Sequence, residues 1–161
     1  MKAYLDIETT GLSPSSSELT VIGIHRENAD GKETTQLVGD EISRSSLMEA
    51  LQDVTVLYTY NGSRFDLPYI NAKLKVDLTE HYRHEDLMYA CWKRNLRGGL
   101  KSVERQLGIR RKLTDVDGWV AVQLWQNYIN HDDEEALDKL LKYNEEDVVN
   151  LKTLREILES C

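Results

Sequence analysis

Two cysteines, two prolines and one phenylalanine in 161 residues narrow the field before any motif is read. Cys91 and Cys161 make no disulfide framework and have no metal-ligand spacing, which excludes a disulfide-stapled scaffold and a cysteine-ligated metal site. With so little proline, and no internal repeat, low-complexity tract or linker composition, residues 1–161 are expected to form a single domain. No apolar run approaches the ~20 residues needed to cross a membrane. Asp6 and Glu8 interrupt the N-terminal stretch, so no signal segment is read there. A cytoplasmic protein with no membrane partner is the expectation. Positive charge is scarce as well: 20 Lys and Arg against 28 Asp and Glu give −8, which at first sight argues against a polyanionic partner.

The distribution of charge qualifies that. Between Lys93 and Lys112 stand eight basic residues and one acid, Glu104, a net +7 that leaves −15 for the rest of the chain. A basic band on an acidic body serves either as a phosphate-contacting patch or as a solvated helix face balancing acids elsewhere. Composition is otherwise that of a globular protein, 40% hydrophobic and 30% charged, and long enough to bury a core.

The spacing of apolar residues predicts strands first and helices later. Lys2 to Thr9 alternates with period two, Ala3, Leu5 and Ile7 on one side and Tyr4, Asp6 and Glu8 on the other. Gly11 to Glu18 is a polar loop. Leu19–Arg26 and Glu33–Val38 read as strands joined at an Asp30-Gly31 turn. Ser46 and Glu49 suggest a capping box for a helix carrying Leu47, Met48 and Leu51 inward. Val54–Tyr60 reads as a fourth strand and Thr79–His84 as a short fifth. From Asp86 the pattern is helical: Leu87, Ala90 and Cys91; then Leu100, Val103 and Leu107, stopped by Gly108; then Val120–Ile129 and Glu134–Leu158. The fold class is α/β, an antiparallel three-strand meander plus parallel strands in a mixed sheet flanked by helices.

Three acidic positions stand out. Asp6 and Glu8 project from one face of one strand, where like charges repel and a divalent cation is the usual remedy; hard oxygen ligands suit magnesium or manganese. The plainer reading is two surface acids on a solvated edge strand. Asp66 follows Asn61-Gly62-Ser63-Arg64-Phe65 at a strand-to-helix junction, either as an N-cap or at the rim of a sheet where α/β sites lie. Tyr143 and Asp147, one helical turn apart, share a helix face; otherwise they are a rim aromatic and a surface acid. Trp92, Trp119 and Trp125 are expected in the core, and His81 and His84 as surface or structural residues.

D-x-E on a first strand, N-x-x-x-F-D after a later strand and Y-x-x-x-D on a late helix, in that order, resemble the DEDD superfamily of 3′–5′ exonucleases in its tyrosine-containing branch (DEDDy), with a ribonuclease-H-like fold. Gly98 to Ile109 and the run from Gly118 to Tyr128 resemble segments of small YprB-like ribonuclease-H domains, so the similarity spans Tyr4 to about Leu154.

The resemblance implies a divalent-metal-dependent 3′–5′ exonuclease that uses two Mg²⁺ or Mn²⁺ ions about 3.5–4 Å apart. Asp6 would bridge both ions, Glu8 and Asp147 would complete one site, and Asp66 would support the other directly or through water. Tyr143, a phenol neutral near pH 7, would position water rather than act as a bulk base. The backbone from Thr9 to Gly11, the Leu12 side chain, Asn61 and Phe65 would meet the terminal nucleotide, with Phe65 either stacking on a base or plugging the core. Arg97 and Lys101, from the basic band, would contact the strand. The implied partner is the 3′ end of single-stranded nucleic acid, DNA favoured over RNA, and processivity would come from homo-oligomerisation or a partner. An endonuclease of the same fold and a non-catalytic nucleic-acid-binding module stand as alternatives.

Overall fold

A computed structural model describes residues 1–28 and 31–160; Asp30 of the expected turn and Cys161 lie outside them. Five strands form one sheet: β1 (Lys2–Thr9), β2 (Leu19–Asn28), β3 (Gly31–Val38), β4 (Val56–Thr59) and β5 (Arg83–Asp86), in spatial order β3-β2-β1-β4-β5. The first three make an antiparallel meander, and β4 and β5 join in parallel to β1 and β4 respectively. β1 has the bounds its alternation predicts, but it is the middle strand rather than an edge.

Two local expectations are corrected. The fifth strand begins at Arg83, not Thr79; Leu78–Glu80 is a single 3₁₀ turn capped by Asp77. Arg83-His84-Glu85-Asp86 carries no apolar alternation to read. Its charges suit an edge strand, where they discourage pairing with another chain. The first helix, α1 (Arg44–Ala50), is capped by Ser43, whose hydroxyl accepts from the Ser46 amide while Ser46 Oγ accepts from the Ser43 amide. Ser46 thus fills the position expected for Glu49, one turn earlier.

The remaining helices are α2 (Asp66–Leu74), α3 (Leu87–Trp92), α4 (Leu100–Leu107), α5 (Gly118–His131) and α6 (Glu134–Glu159). α4 ends on left-handed Gly108, as predicted. The Asp117 and Asp133 side chains accept from Val120 and Ala136 amides and start α5 and α6.

Ala3, Leu5 and Ile7 pack with Leu47 of α1, Leu51 just after it, and Leu67 and Ile70 of α2 on one side of the sheet. Tyr4 and Tyr58 pack with Leu87, Val103, Leu151 and Leu154 on the other, where Val21 meets Trp125 and Leu140. The sheet is therefore covered on both faces. Each fully buried aliphatic side chain contributes roughly 1.5–3 kcal/mol. β1 is consequently fixed from both sides, which fixes where Asp6 and Glu8 stand.

Candidate active site

The site is built where β1 and β4 part. The two strands pair only from Lys2–Tyr4 against Val56–Tyr58, so the amide of Ile7 has no partner from β4. Asp66 supplies one: its Oδ2 accepts from Ile7 N–H at 3.0 Å. Asp66 is the first residue of α2, and Phe65 occupies the cap position without a side-chain bond. The expected N-cap role is thus replaced by a contact to the active strand.

From the opposite layer, α6 descends onto the sheet at Asn144. Asn144 Nδ2 donates to the main-chain oxygen of Asp6 at 3.2 Å and to its Oδ2 at 3.4 Å, while its Oδ1 accepts from Gln36. The approach depends on Gly23, which β2 places beside Asp6. A Cβ there would lie 2.0 Å from Asn144 Oδ1. An isolated glycine in a strand marks such a close approach, so Gly23 is a signal that the sequence itself carries.

Seated this way, α6 aims Tyr143 and Asp147 at the face of β1 that carries Asp6 and Glu8. Carboxylate oxygens of Asp6, Glu8 and Asp147 lie within 4.8 Å of one another. Three hard, like-charged donors at that spacing fit a divalent cation. Burial, then the charges of Asp147, Glu8 and Asp66, holds the Asp6 carboxyl well above its ordinary range. Burial and Asp147 do the same to Glu8. Burial also raises Asp66, to about 7, against its hydrogen bond from Ile7. Asp147 is raised by burial too but held back by Arg111 and Lys101.

Arg111 is the residue that sequence reasoning missed. It lies in an Arg-Arg-Lys run that reads as solvated, yet its side chain is only 7% exposed. Nη2 donates to Asp147 Oδ1 at 2.6 Å, and Nη1 donates to both oxygens of Glu104 at 3.0 Å. Asn150 completes the network on Glu104. Nothing local announces this pairing, because its members come from α4, α6 and the segment between α4 and α5. The Tyr143 ring lies between Arg111 and Lys101, 5.4 and 4.5 Å from its centroid, and Lys101 Nζ donates to the phenol oxygen. Burial and the neighbouring carboxylates push the phenol well above its usual value, so it stays protonated.

Asp6, Glu8, Lys101, Tyr143 and Asp147 line a cleft of about 650 Å³ that also takes in Thr9, Gly11, Leu12, Phe65 and Arg105; Asp66 and Arg111 support it from outside that lining. Leu12 is 86% exposed. Phe65 is half-buried, packed 5.5 Å from the Tyr69 ring while facing the cleft, so wall and plug are one role. Asn61 and Arg97 are not in the lining. Asn61, left-handed at φ 61°, gives its amide to Asp86 and closes the turn; Arg97 lies over the Trp92 ring. Trp125 is core, as expected, but Trp119 is 71% exposed. His84 bonds Thr59 Oγ1, a structural role. A larger groove, about 880 Å³, runs beside Trp125, Leu137 and Leu141 and holds none of the clustered carboxylates.

A model of the RNase H superfamily matches residues 3–159. The chain belongs to the RNase H superfamily. Among curated relatives of this superfamily member, the uncharacterized protein YprB of Bacillus subtilis is 30% identical over 94% of the chain and 40% of its own length. The chain thus spans less than half of that relative. The uncharacterized protein MJ0365 of Methanocaldococcus jannaschii is 27% identical over 99% of the chain and 96% of its own length. The fold matches the family B DNA polymerase of Pyrobaculum calidifontis with TM-score 0.72 at 16% identity, over 98% of this chain and 24% of that one. It matches Brucella melitensis NrnC with bound Mg²⁺ with TM-score 0.65 at 21% identity, over 99% and 72%. The mixed sheet flanked by helices, expected from the order of elements, is the RNase H-like architecture that the resemblance implied. Among the described residues no helix is long and apolar enough to cross a membrane.

Proposed function

We propose that this RNase H superfamily member is a divalent-metal-dependent 3′–5′ exonuclease of the DEDDy type. It removes nucleoside 5′-monophosphates from single-stranded nucleic acid, DNA in preference to RNA. The observation that carries the reading is the convergence of Asp6, Glu8 and Asp147 within 4.8 Å, in a cleft that Tyr143, Leu12 and Phe65 share. The NrnC structures described with bound Mg²⁺ and with pGG are consistent with that chemistry.

Bound ions would lower the pKa of an attacking water and neutralise charge on the phosphate. The chain's own residues do the rest. Asp6, Glu8 and Asp147 would hold the ions. Arg111 fixes the rotamer of Asp147 through its 2.6 Å bond. Asp66, by accepting from Ile7 N–H, fixes the peptide that follows Asp6 and would support a second ion directly or through water. Tyr143, whose oxygen already accepts from Lys101, has its own proton to donate to water or to a phosphate oxygen. Leu12 and Phe65 offer apolar surface to the terminal base, and the backbone of Thr9 to Gly11 borders the same nucleotide.

Matched 5′-labelled DNA and RNA oligonucleotides, incubated with Mg²⁺ or Mn²⁺, test the proposal. The expected result is a ladder shortening from the 3′ end, faster on DNA and absent in Asp6→Asn. Cleavage of a closed circular strand would replace it with an endonuclease. No cleavage by folded protein under any condition would leave a binding module.

A further inference from the structure

The surface next to the cleft carries a cluster that the proposed reaction does not use. Trp92, at the end of α3, is flanked by two guanidinium groups: Arg64 lies 5.3 Å from its ring centroid and Arg97 lies 5.6 Å from it. Arg64 also lies 5.7 Å from the Tyr89 ring, and Tyr89 meets Trp92 edge-on at 5.1 Å. Tyr89 is 36% exposed, and both arginines are exposed. In a chain with 28 acidic residues, neither Arg64 nor Arg97 forms an ion pair among the described residues. Arg111 and Arg155 each take carboxylate partners. Two arginines without carboxylate partners, each within 6 Å of an aromatic ring, suit an external anion that also presents planar groups.

The position of the cluster says which strand it serves. Arg64 is followed by Phe65, which lines the cleft. Arg97 is followed by Gly98 and Gly99, the second of which lines it too. Tyr60 Oη donates to the Gly98 carbonyl at 2.6 Å, tying the two segments together across the cleft edge. A chain of alternating phosphates and bases leaving the cleft on this side meets guanidinium groups and aromatic faces in turn.

Resting on the exonuclease reading, we propose that Arg64, Tyr89, Trp92 and Arg97 form a second binding surface for single-stranded nucleic acid. It grips the strand upstream of the terminal nucleotide, through phosphate contacts to the arginines and base stacking on the aromatics. The consequence is a preference for length: oligonucleotides long enough to reach the cluster are bound and turned over better than dinucleotides.

The test compares wild type with the surface double variant Arg64→Ala/Arg97→Ala, on a 12-mer and on a dinucleotide of the same base. The kcat/KM on the 12-mer is expected to fall about tenfold relative to that on the dinucleotide, mostly through KM. Fluorescence anisotropy of the labelled 12-mer, with metal removed by chelator, is expected to show weaker binding. The salt slope should become shallower by roughly 1.4, since each single-strand phosphate that an arginine neutralises adds about 0.7 to it. Trp92→Leu should give the same length-dependent loss. Equal losses on both substrates, or none on either, would overturn the proposal. If wild type turns over neither substrate, the exonuclease reading fails by itself, and the anisotropy and salt slope still decide whether the cluster binds the strand.

Discussion

On one face of β1, Ala3, Leu5 and Ile7 disappear among aliphatic side chains of α1 and α2. On the other, Tyr4 and Glu8 are buried and Asp6 is half-buried, but by groups that answer them chemically. The Tyr4 hydroxyl accepts from Arg155 Nε at 2.6 Å and donates to Glu27 at 2.9 Å, with its ring stacked 5.2 Å from Tyr58. Asp6 is met by Asn144, and Glu8 is 9% exposed among other acids. One face of a single strand is spent on folding; the other is held against its own electrostatic preference, which is where a ligand can do most.

If that division is right, the two faces respond oppositely to substitution. The largest effect should come from Asp6→Asn: at least about a 10³-fold loss of hydrolysis, roughly 4 kcal/mol of barrier. Metal-free stability should be unchanged or higher in urea denaturation, because a repelling charge has gone. A variant that lost stability instead would show that both faces are structural.

Leu5→Ala should do the reverse. A buried Leu truncated in a packed core loses about 3 kcal/mol of stability, read as a lower urea midpoint, with hydrolysis by the remaining folded protein near wild type. Gly23→Ala lies between the two. The added methyl meets Asn144, costing about 1–3 kcal/mol, and by lifting α6 it should weaken Mn²⁺ binding, measured by calorimetry, more than it lowers the melting temperature.

The smallest effect is in pH. The Asp66 carboxyl is raised from an ordinary 3.8 to about 7. Between those values the folded state holds a proton that the unfolded state has released, so stability falls as pH rises through about 7. Metal-free protein should be about 1–2 kcal/mol more stable at pH 5.5 than at pH 7.5. Asp66→Asn should shrink the difference without abolishing it, because Asp6 and Glu8 are raised as well. Denaturation curves at the two pH values are the check.

What can be read from sequence is whatever depends on neighbours in the chain. The period-two run of Lys2–Thr9, the αL stop at Gly108 and the i, i+4 pair Tyr143/Asp147 all emerge where spacing puts them. The polar fifth strand does not, since its pairing comes from β4 and not from its own pattern. Arg111 is hidden for the same reason: its partners Glu104 and Asp147 are 7 and 36 positions away. The local context of Asp66 favours a cap, whereas the unpaired Ile7 amide, 59 positions off, claims it.

Asn144 touches Asp6 across 138 positions of sequence, and that separation sets when the protein becomes competent. Contacts this distant form late, after the entropy of closing nearly the whole chain has been overcome. Under the proposed function, Asp6 and Glu8 stand without their third carboxylate until α6 has docked and brought Asp147 beside them. In a refolding experiment, turnover should return only with the slowest phase of tertiary fluorescence. Turnover regained earlier would mean that β1 alone suffices. If turnover returns only in that last phase, topology itself keeps the proposed activity off until folding is complete, and no inhibitor is required.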